Sequence, residues 1–247
     1  MKASLLNPIV LIPARLGSTR LPGKVLADIG GRPMIAHVLR RAQEAGLGPV
    51  AVACGEAQVA EAVEKSGGIA VLTDPELPSG SDRIFAALQS LDPTGAHDVI
   101  INLQGDLPSI DPSYLATVLK PLAQGYDIGT LVAPITTESE RDAPSVVKCA
   151  CAFAGDAEVA PALYFSRTLI PSGEGPFWHH IGIYAYRRAA LARFVALPPS
   201  PLEQREKLEQ LRALEAGLRI GAARVAQAPF GVDTPEDLDR AREALRK

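Results

Sequence analysis

The segment Pro13-Ala14-Arg15-Leu16-Gly17-Ser18-Thr19-Arg20-Leu21-Pro22-Gly23-Lys24 gathers two glycines, two hydroxyls and three cations in twelve residues. Small residues let backbone N–H groups approach an anion closely, and Arg15, Arg20 and Lys24 supply the charge that phosphate oxygens require. The segment reads as a cradle for a triphosphate, with a solvated basic loop as the plainer alternative. Two other phosphate motifs are excluded. A Walker A loop has four residues between its glycines and Ser or Thr after its lysine, whereas Gly17 and Gly23 enclose five and Val25 follows Lys24. The G-x-G-x-x-G fingerprint of dinucleotide binders is also missing from the loop.

Two carboxylates stand out elsewhere. Asp106 lies in Gln104-Gly105-Asp106, and Asp233 immediately precedes Thr234-Pro235-Glu236. Alone, Asp233 reads first as a helix cap, but two carboxylates with nucleotide phosphates are a usual way to hold Mg²⁺. Gln104 and Ser81 are weaker nucleotide candidates, and Arg83 is expected to pair with a neighbouring acid. The three cysteines, Cys54, Cys149 and Cys151, are odd in number and sit in apolar or Ala-rich stretches, so they read as reduced, structural thiols.

The elements that must position these groups follow from periodicity. Ile9–Ile12 is an apolar run ending at Pro13, as in a strand buried on both faces. Pro33 opens a helix with Met34, Ile35, Val38, Leu39 and Ala42 on one face, ended by Gly46. Strands are expected over Pro49–Ala53 and Ile69–Leu72, with a helix over Gln58–Lys65 between them. A helix over Asp82–Leu91 precedes a strand at Val99–Leu103, which places Gln104-Gly105-Asp106 at a strand's carboxyl end, where open α/β sheets bind ligands. A helix over Pro112–Leu122 follows. The second half is less regular: strands at Thr130–Ile135, Val146–Phe153, Ile181–Tyr186 and Arg219–Ala226, and helices at Ser200–Ala216 and Thr234–Leu245. The pattern predicts an α/β fold with a mainly parallel, Rossmann-like sheet flanked by helices. It is expected to form a single domain over 1–247 with a smaller β-rich insertion at about 136–198.

Composition sets the bounds. With 25 Lys and Arg against 28 Asp and Glu, the formal net charge is −3, which argues against a nucleic-acid partner. No apolar run approaches the ~20 residues of a membrane span, and the start lacks a signal-peptide core, so no membrane association and a cytoplasmic address are expected.

The chain resembles the CMP-Kdo synthetases, the 3-deoxy-manno-octulosonate cytidylyltransferases. The resemblance runs through Ile12-Pro13-Ala14-Arg15, Ser18 to Lys24, Gly31-x-Pro33-Met34-Ile35, Gln104-Gly105-Asp106-x-Pro108 and Ala162 to Arg167. It continues in His180-x-Gly182-Ile183-Tyr184, Pro199 to Glu203, Leu208 to Arg212 and Gly231 to Leu238. It implies transfer of CMP from CTP to a 3-deoxy sugar acid for lipopolysaccharide biosynthesis, and a homodimer. Asp106, Lys24 and Arg15 would be catalytic. Pro13, Ala14, Arg15, Arg20, Lys24, Ser81 and Gln104 would bind nucleotide, and Asp106 and Asp233 would hold Mg²⁺. It points to Arg167, His180, Tyr184, Glu209 and Gln210 for the acceptor. A planar guanidinium suits a carboxylate, yet Arg167 also reads as a surface cation, His180 as a satisfied strand histidine and Glu209 as part of an exposed helical face. Three positions depart from the family's pattern. Leu77 stands where it writes His, Leu107 where it writes Glu, and Cys54-Gly55 where Thr-Asp is common. These leave open a different ulosonic acid or modified Kdo as acceptor, or a non-catalytic nucleotide-binding homologue.

Overall fold

Pro8–Ala14 (β1) is a strand because Val10, Leu11 and Ile12, all fully buried, have apolar partners on both sheet faces. Each such side chain contributes roughly 1.5–3 kcal/mol on burial. The computed structural model describes residues 6–18 and 20–246; Thr19 of the cradle lies outside them. The chain divides into two compact units, the first drawn from Met1–Leu115 and Pro229–Lys247 and the second from Ala116–Ala228.

In the first unit, β1 leads through the cradle loop and a short 3-10 turn, Lys24–Leu26, to a two-strand hairpin, Asp28–Ile29 (β2) and Arg32–Pro33 (β3). Then come Met34–Glu44 (α1), Val50–Cys54 (β4), Ala57–Lys65 (α2), Ile69–Leu72 (β5), Gly80–Leu91 (α3) and Val99–Asn102 (β6). Four strands are parallel in the order β5-β4-β1-β6. The order reverses between β1 and β6, so their carboxyl ends diverge into a crevice. Ser113–Thr117 (α4) follows.

The second unit contains Lys120–Ala123 (α5), Ile128–Pro134 (β7), Glu138–Asp142 (α6), Lys148–Ala150 (β8), Val159–Pro161 (β9) and Tyr164–Ser166 (β10). It continues through Trp178–Arg187 (β11), Arg188–Val195 (α7), Pro201–Glu206 (α8), Gln210–Glu215 (α9) and Ile220–Arg224 (β12). Strands run β11-β7-β12-β9, with β7 parallel to β12, the other pairs antiparallel, and β8 joining β10 to β11. Pro235–Ala244 (α10) belongs to the first unit, where Leu238 and Ala241 pack with Val232, Ile29 and Met34. The whole is a mixed α/β protein with a mostly parallel sheet flanked by helices, as the sequence pattern predicts.

Three expected elements differ. Pro112–Leu122 is two short helices rather than one, because Pro121 lacks an N–H and sits at the start of α5. Ser200–Ala216 breaks at Lys207, whose φ of 55° and ψ of 48° end α8 in the left-handed region. Of Val146–Phe153, only Lys148–Ala150 is strand; Phe153 instead meets the Trp178 ring at 4.6 Å.

Candidate active site

The cradle loop leaves β1 and is tied down from the end of β4. Gly55 N donates to Ala14 O at 2.9 Å, Leu16 N to Glu56 Oε2 at 3.0 Å, and Gly23 N back to Leu16 O at 3.0 Å. The exit of β6 must pass close beside it. At Gly105 a Cβ would stand 2.9 Å from Pro13 O, so only glycine fits without backbone movement. Between these loops lies a cavity of about 380 Å³ lined by Pro13, Ala14, Arg15, Arg20, Lys24, Gln104, Asp106 and Asp233, all expected from the sequence.

Ser81 is the exception: it is buried and absent from the lining, while its neighbours Ser79 and Gly80 take that place. Ser79 caps α3, its Oγ accepting from Asp82 N at 3.1 Å, so the helix presents its N-terminus to the cavity and adds a field favourable to phosphate. The Ser79-x-x-Asp82 spacing is a capping signal legible in the sequence. Gly17, Ser18, Leu77 and Arg83 also line the cavity.

Among the described residues Arg83 forms no ion pair with an acid, contrary to expectation. It is 2% exposed, and Nη1 donates to Thr73 Oγ1 (2.7 Å) and Asp74 O (3.1 Å), Nη2 to Pro75 O (3.1 Å). Burial, and after it the charge of Arg15, pulls its pKa below the ordinary arginine value. Among the described residues no carboxylate forms an ion pair with Arg15, which leaves its guanidinium available to an anion.

Asp233 is not the helix cap. Thr234 caps α10, its Oγ1 accepting from Asp237 N at 3.2 Å, while Asp237 Oδ2 accepts from Asp233 N and Thr234 N. The Asp233 carboxylate therefore turns to the cavity. Lys24 Nζ lies 2.8 Å from Asp106 Oδ2, 2.8 Å from Asp233 Oδ1 and 3.1 Å from Val232 O, and Arg20 Nη2 is 2.9 Å from Asp233 Oδ2. Burial works against the charge on Lys24, but Asp106 and then Asp233 outweigh it and hold the ammonium above its ordinary range. The donors around Nζ are hard oxygens already enclosing one cation, a set that suits Mg²⁺. Of the departures from the family's pattern, Leu77 lines this cavity, whereas Leu107 and Cys54 are buried.

The acceptor candidates all lie in the second unit. A bulge interrupts β11 between Ile181 and Tyr184, and Thr130 Oγ1 lies 3.2 and 2.9 Å from the Ile181 and Ile183 carbonyls. That hydroxyl has one proton to give a carbonyl, so His180 Nε2, 3.0 Å away, is the N–H that donates to it. Burial, with a smaller push from His179, drives the His180 pKa down to about 3, so the imidazole is neutral. The Tyr184 ring lies 5.6 Å from that of His180, tilted by 50°, and burial, then Tyr186 and Glu209, raise its phenol well above the usual value. Gln210 begins α9 with a buried Nε2 that has no hydrogen-bond partner among the described residues. His180, Tyr184, Glu209 and Gln210 are thus buried or half-buried polar groups. Arg167 differs: its guanidinium donates to Glu206 O (3.0 Å), Pro144 O (3.1 Å) and Lys207 O (3.2 Å), so it caps the end of α8 rather than standing open to a carboxylate.

A polyphosphate-sized crevice at the switch point of a parallel sheet, with four cations and two carboxylates, defines an α/β nucleotidyltransferase. Residues 9–220 match the family model described as Cytidylyltransferase. The 3-deoxy-manno-octulosonate cytidylyltransferase of Parvibaculum lavamentivorans is 60% identical over 242 residues, covering 98% of this chain and 93% of that protein. The protein of the same name from Paramagnetospirillum magneticum is 58% identical over 242 residues, covering 98% of each. A solved CMP:2-keto-3-deoxy-manno-octonic acid synthetase complexed with CTP superposes with a TM-score of 0.87 at 39% identity, over 97% of this chain and 98% of that one. The chain belongs to the 3-deoxy-manno-octulosonate cytidylyltransferase family.

Proposed function

We propose that this chain transfers the cytidylyl group of CTP to the anomeric hydroxyl of 3-deoxy-D-manno-octulosonate, giving CMP-Kdo and pyrophosphate for lipopolysaccharide biosynthesis. The observation that carries this reading is the crevice in which Arg15, Arg20 and Lys24 converge with Asp106 and Asp233, in a chain whose relatives bear that name. In the reaction the acceptor oxygen bonds to the α-phosphorus, the bond to the β-phosphate oxygen breaks, pyrophosphate leaves, and the hydroxyl proton is lost to solvent. No covalent intermediate on the protein is needed, so catalysis rests on positioning and charge. Arg15, Arg20 and Lys24 bind the triphosphate and neutralise it, and the N-terminus of α3 adds to that field. Asp106 and Asp233 are the residues that would hold Mg²⁺. When bound there, the ion supplies Lewis-acid charge neutralisation at the phosphates. Tyr184, Glu209 and Gln210 are the proposed acceptor contacts, with His180 through Nδ1, the ring nitrogen left as an acceptor once Nε2–H is given to Thr130, and Arg167 holds the end of α8.

We further place the protein in the cytoplasm as a homodimer. In support of that location, no helix among the described residues is long and apolar enough to cross a membrane; light scattering tests the dimer. The activity is tested by pyrophosphate release from CTP and Mg²⁺ with a panel of 3-deoxy sugar acids. Turnover with Kdo is expected; turnover only with another ulosonic acid reassigns the acceptor, and CTP binding without turnover by any acid overturns the enzymatic reading. Asp106→Asn is expected to fold normally by circular dichroism and to lose nearly all activity, because charge is removed with little change of shape.

A further inference from the structure

Lys24 was expected to hold phosphate, yet its ammonium is turned to the carboxylates and a carbonyl. An ammonium has three N–H donors, and those of Lys24 face Asp106 Oδ2, Asp233 Oδ1 and the Val232 carbonyl. The second oxygen of Asp233 is taken by Arg20. Two residues of the phosphate cradle thus grip the carboxylates that would hold the metal, at 2.8 to 2.9 Å. The Lys24 side chain is 14% exposed, so its charge is poorly screened by water there.

We infer that Lys24 occupies the divalent-cation position between Asp106 and Asp233, and that nucleotide and metal enter together by exchanging partners with it. If Lys24 left alone, Asp106 would lose its cation and Asp233 would keep only Arg20, so two carboxylates that share one ammonium would be left with less than their charge balanced. If a divalent ion entered alone, it would have to displace an ammonium held by three short contacts. An incoming triphosphate removes both obstacles, because it gives Lys24 and Arg20 new anionic partners and brings the oxygen ligands that two carboxylates lack. The same exchange makes the coupling reciprocal: whatever factor nucleotide contributes to metal affinity, metal contributes to nucleotide affinity. This rests on the reading of Asp106 and Asp233 as the metal carboxylates, and the test separates the two.

The probe is Mn²⁺ alone, without nucleotide, titrated by electron paramagnetic resonance against the wild-type chain, Lys24→Met and Lys24→Gln, each with and without Asp106→Asn. Lys24→Met is expected to bind Mn²⁺ at least tenfold more tightly than wild type, and Asp106→Asn to abolish that gain. Lys24→Gln serves as a second neutral variant, and Mg²⁺ is expected to raise the melting temperature of either variant more than that of wild type. Equal Mn²⁺ affinity for wild type and both neutral variants, reduced in each by Asp106→Asn, overturns the exchange while leaving the metal site standing. Mn²⁺ binding that ignores Asp106→Asn, or is absent even with Lys24 neutralised, overturns the metal site and the exchange with it.

Discussion

Gly55 stands where the cradle, β4 and Arg83 converge, and it has room for little more than a hydrogen. A Cβ there would lie 3.1 Å from Arg83 Nη1 and 3.3 Å from Arg15 Cβ. Arg83 cannot yield, since its guanidinium is fixed to Thr73, Asp74 and Pro75. Gly55→Val is therefore expected to cost about 1–3 kcal/mol as overpacking, and to weaken CTP binding by displacing Arg15. Thermal denaturation and a CTP titration check both, and unchanged values in each would refute the crowding argument. His180 supplies a pH effect. Its folded-state pKa of about 3 lies below the roughly 6.5 of an unfolded histidine, so between these values the unfolded chain binds a proton that the folded chain does not. Its contribution is complete above pH 6.5 and is lost as pH falls towards 3, at up to about 1.4 kcal/mol per pH unit. His180→Gln is expected to lessen the drop in urea-denaturation stability between pH 7 and pH 5, and an unaltered drop would show that the folded imidazole titrates normally.

At the scale of elements, α10 aims Asp233 through its cap. Thr234 and Asp237 form a reciprocal capping box, and the N–H of Asp233 is held by the same Asp237 carboxylate. Thr234→Ala is expected to cost about 1 kcal/mol of stability and to lower activity further than that loss explains, because Asp233 is loosened. Activity measured well below the melting temperature separates the effects; wild-type turnover would mean the cap does not position Asp233. The helix break at Lys207 shows where sequence reading stops at this scale. The apolar spacing over Ser200–Ala216 suits one helix, and a lysine gives no sign of a left-handed residue. What stabilises the turn is tertiary: Arg167 from beyond β10 caps the carbonyls of Glu206 and Lys207, and Glu203 pairs with Arg212 across the break at 2.8 Å. The break before Pro121 was missed too, in the reading of Pro112–Leu122 as one helix, but its signal is local, because a missing N–H is a property of the residue itself.

For the whole molecule, a net charge of −3 coexists with a cavity where four cations meet two carboxylates. Attraction of a polyanionic nucleotide is then a local field, weakened when salt shortens the screening length from about 10 Å at 0.1 M to about 3 Å at 1 M. The KM for CTP is expected to rise several-fold over that range with a smaller change in kcat; a KM indifferent to salt would mean the cations do not steer the nucleotide. The sequence by itself determined the parallel α/β core, the cradle and the carboxyl-end placement of Asp106, since these follow from hydrophobic periodicity and from residue types close together in the chain. Only the tertiary structure decided that Ser79 and Gly80 rather than Ser81 line the cavity, that Arg167 caps a helix, and that Lys24 lies between Asp106 and Asp233. Those partners are 82 and 209 residues away from Lys24. Electrostatic pairing depends on distance in space, which no spacing along a chain reports.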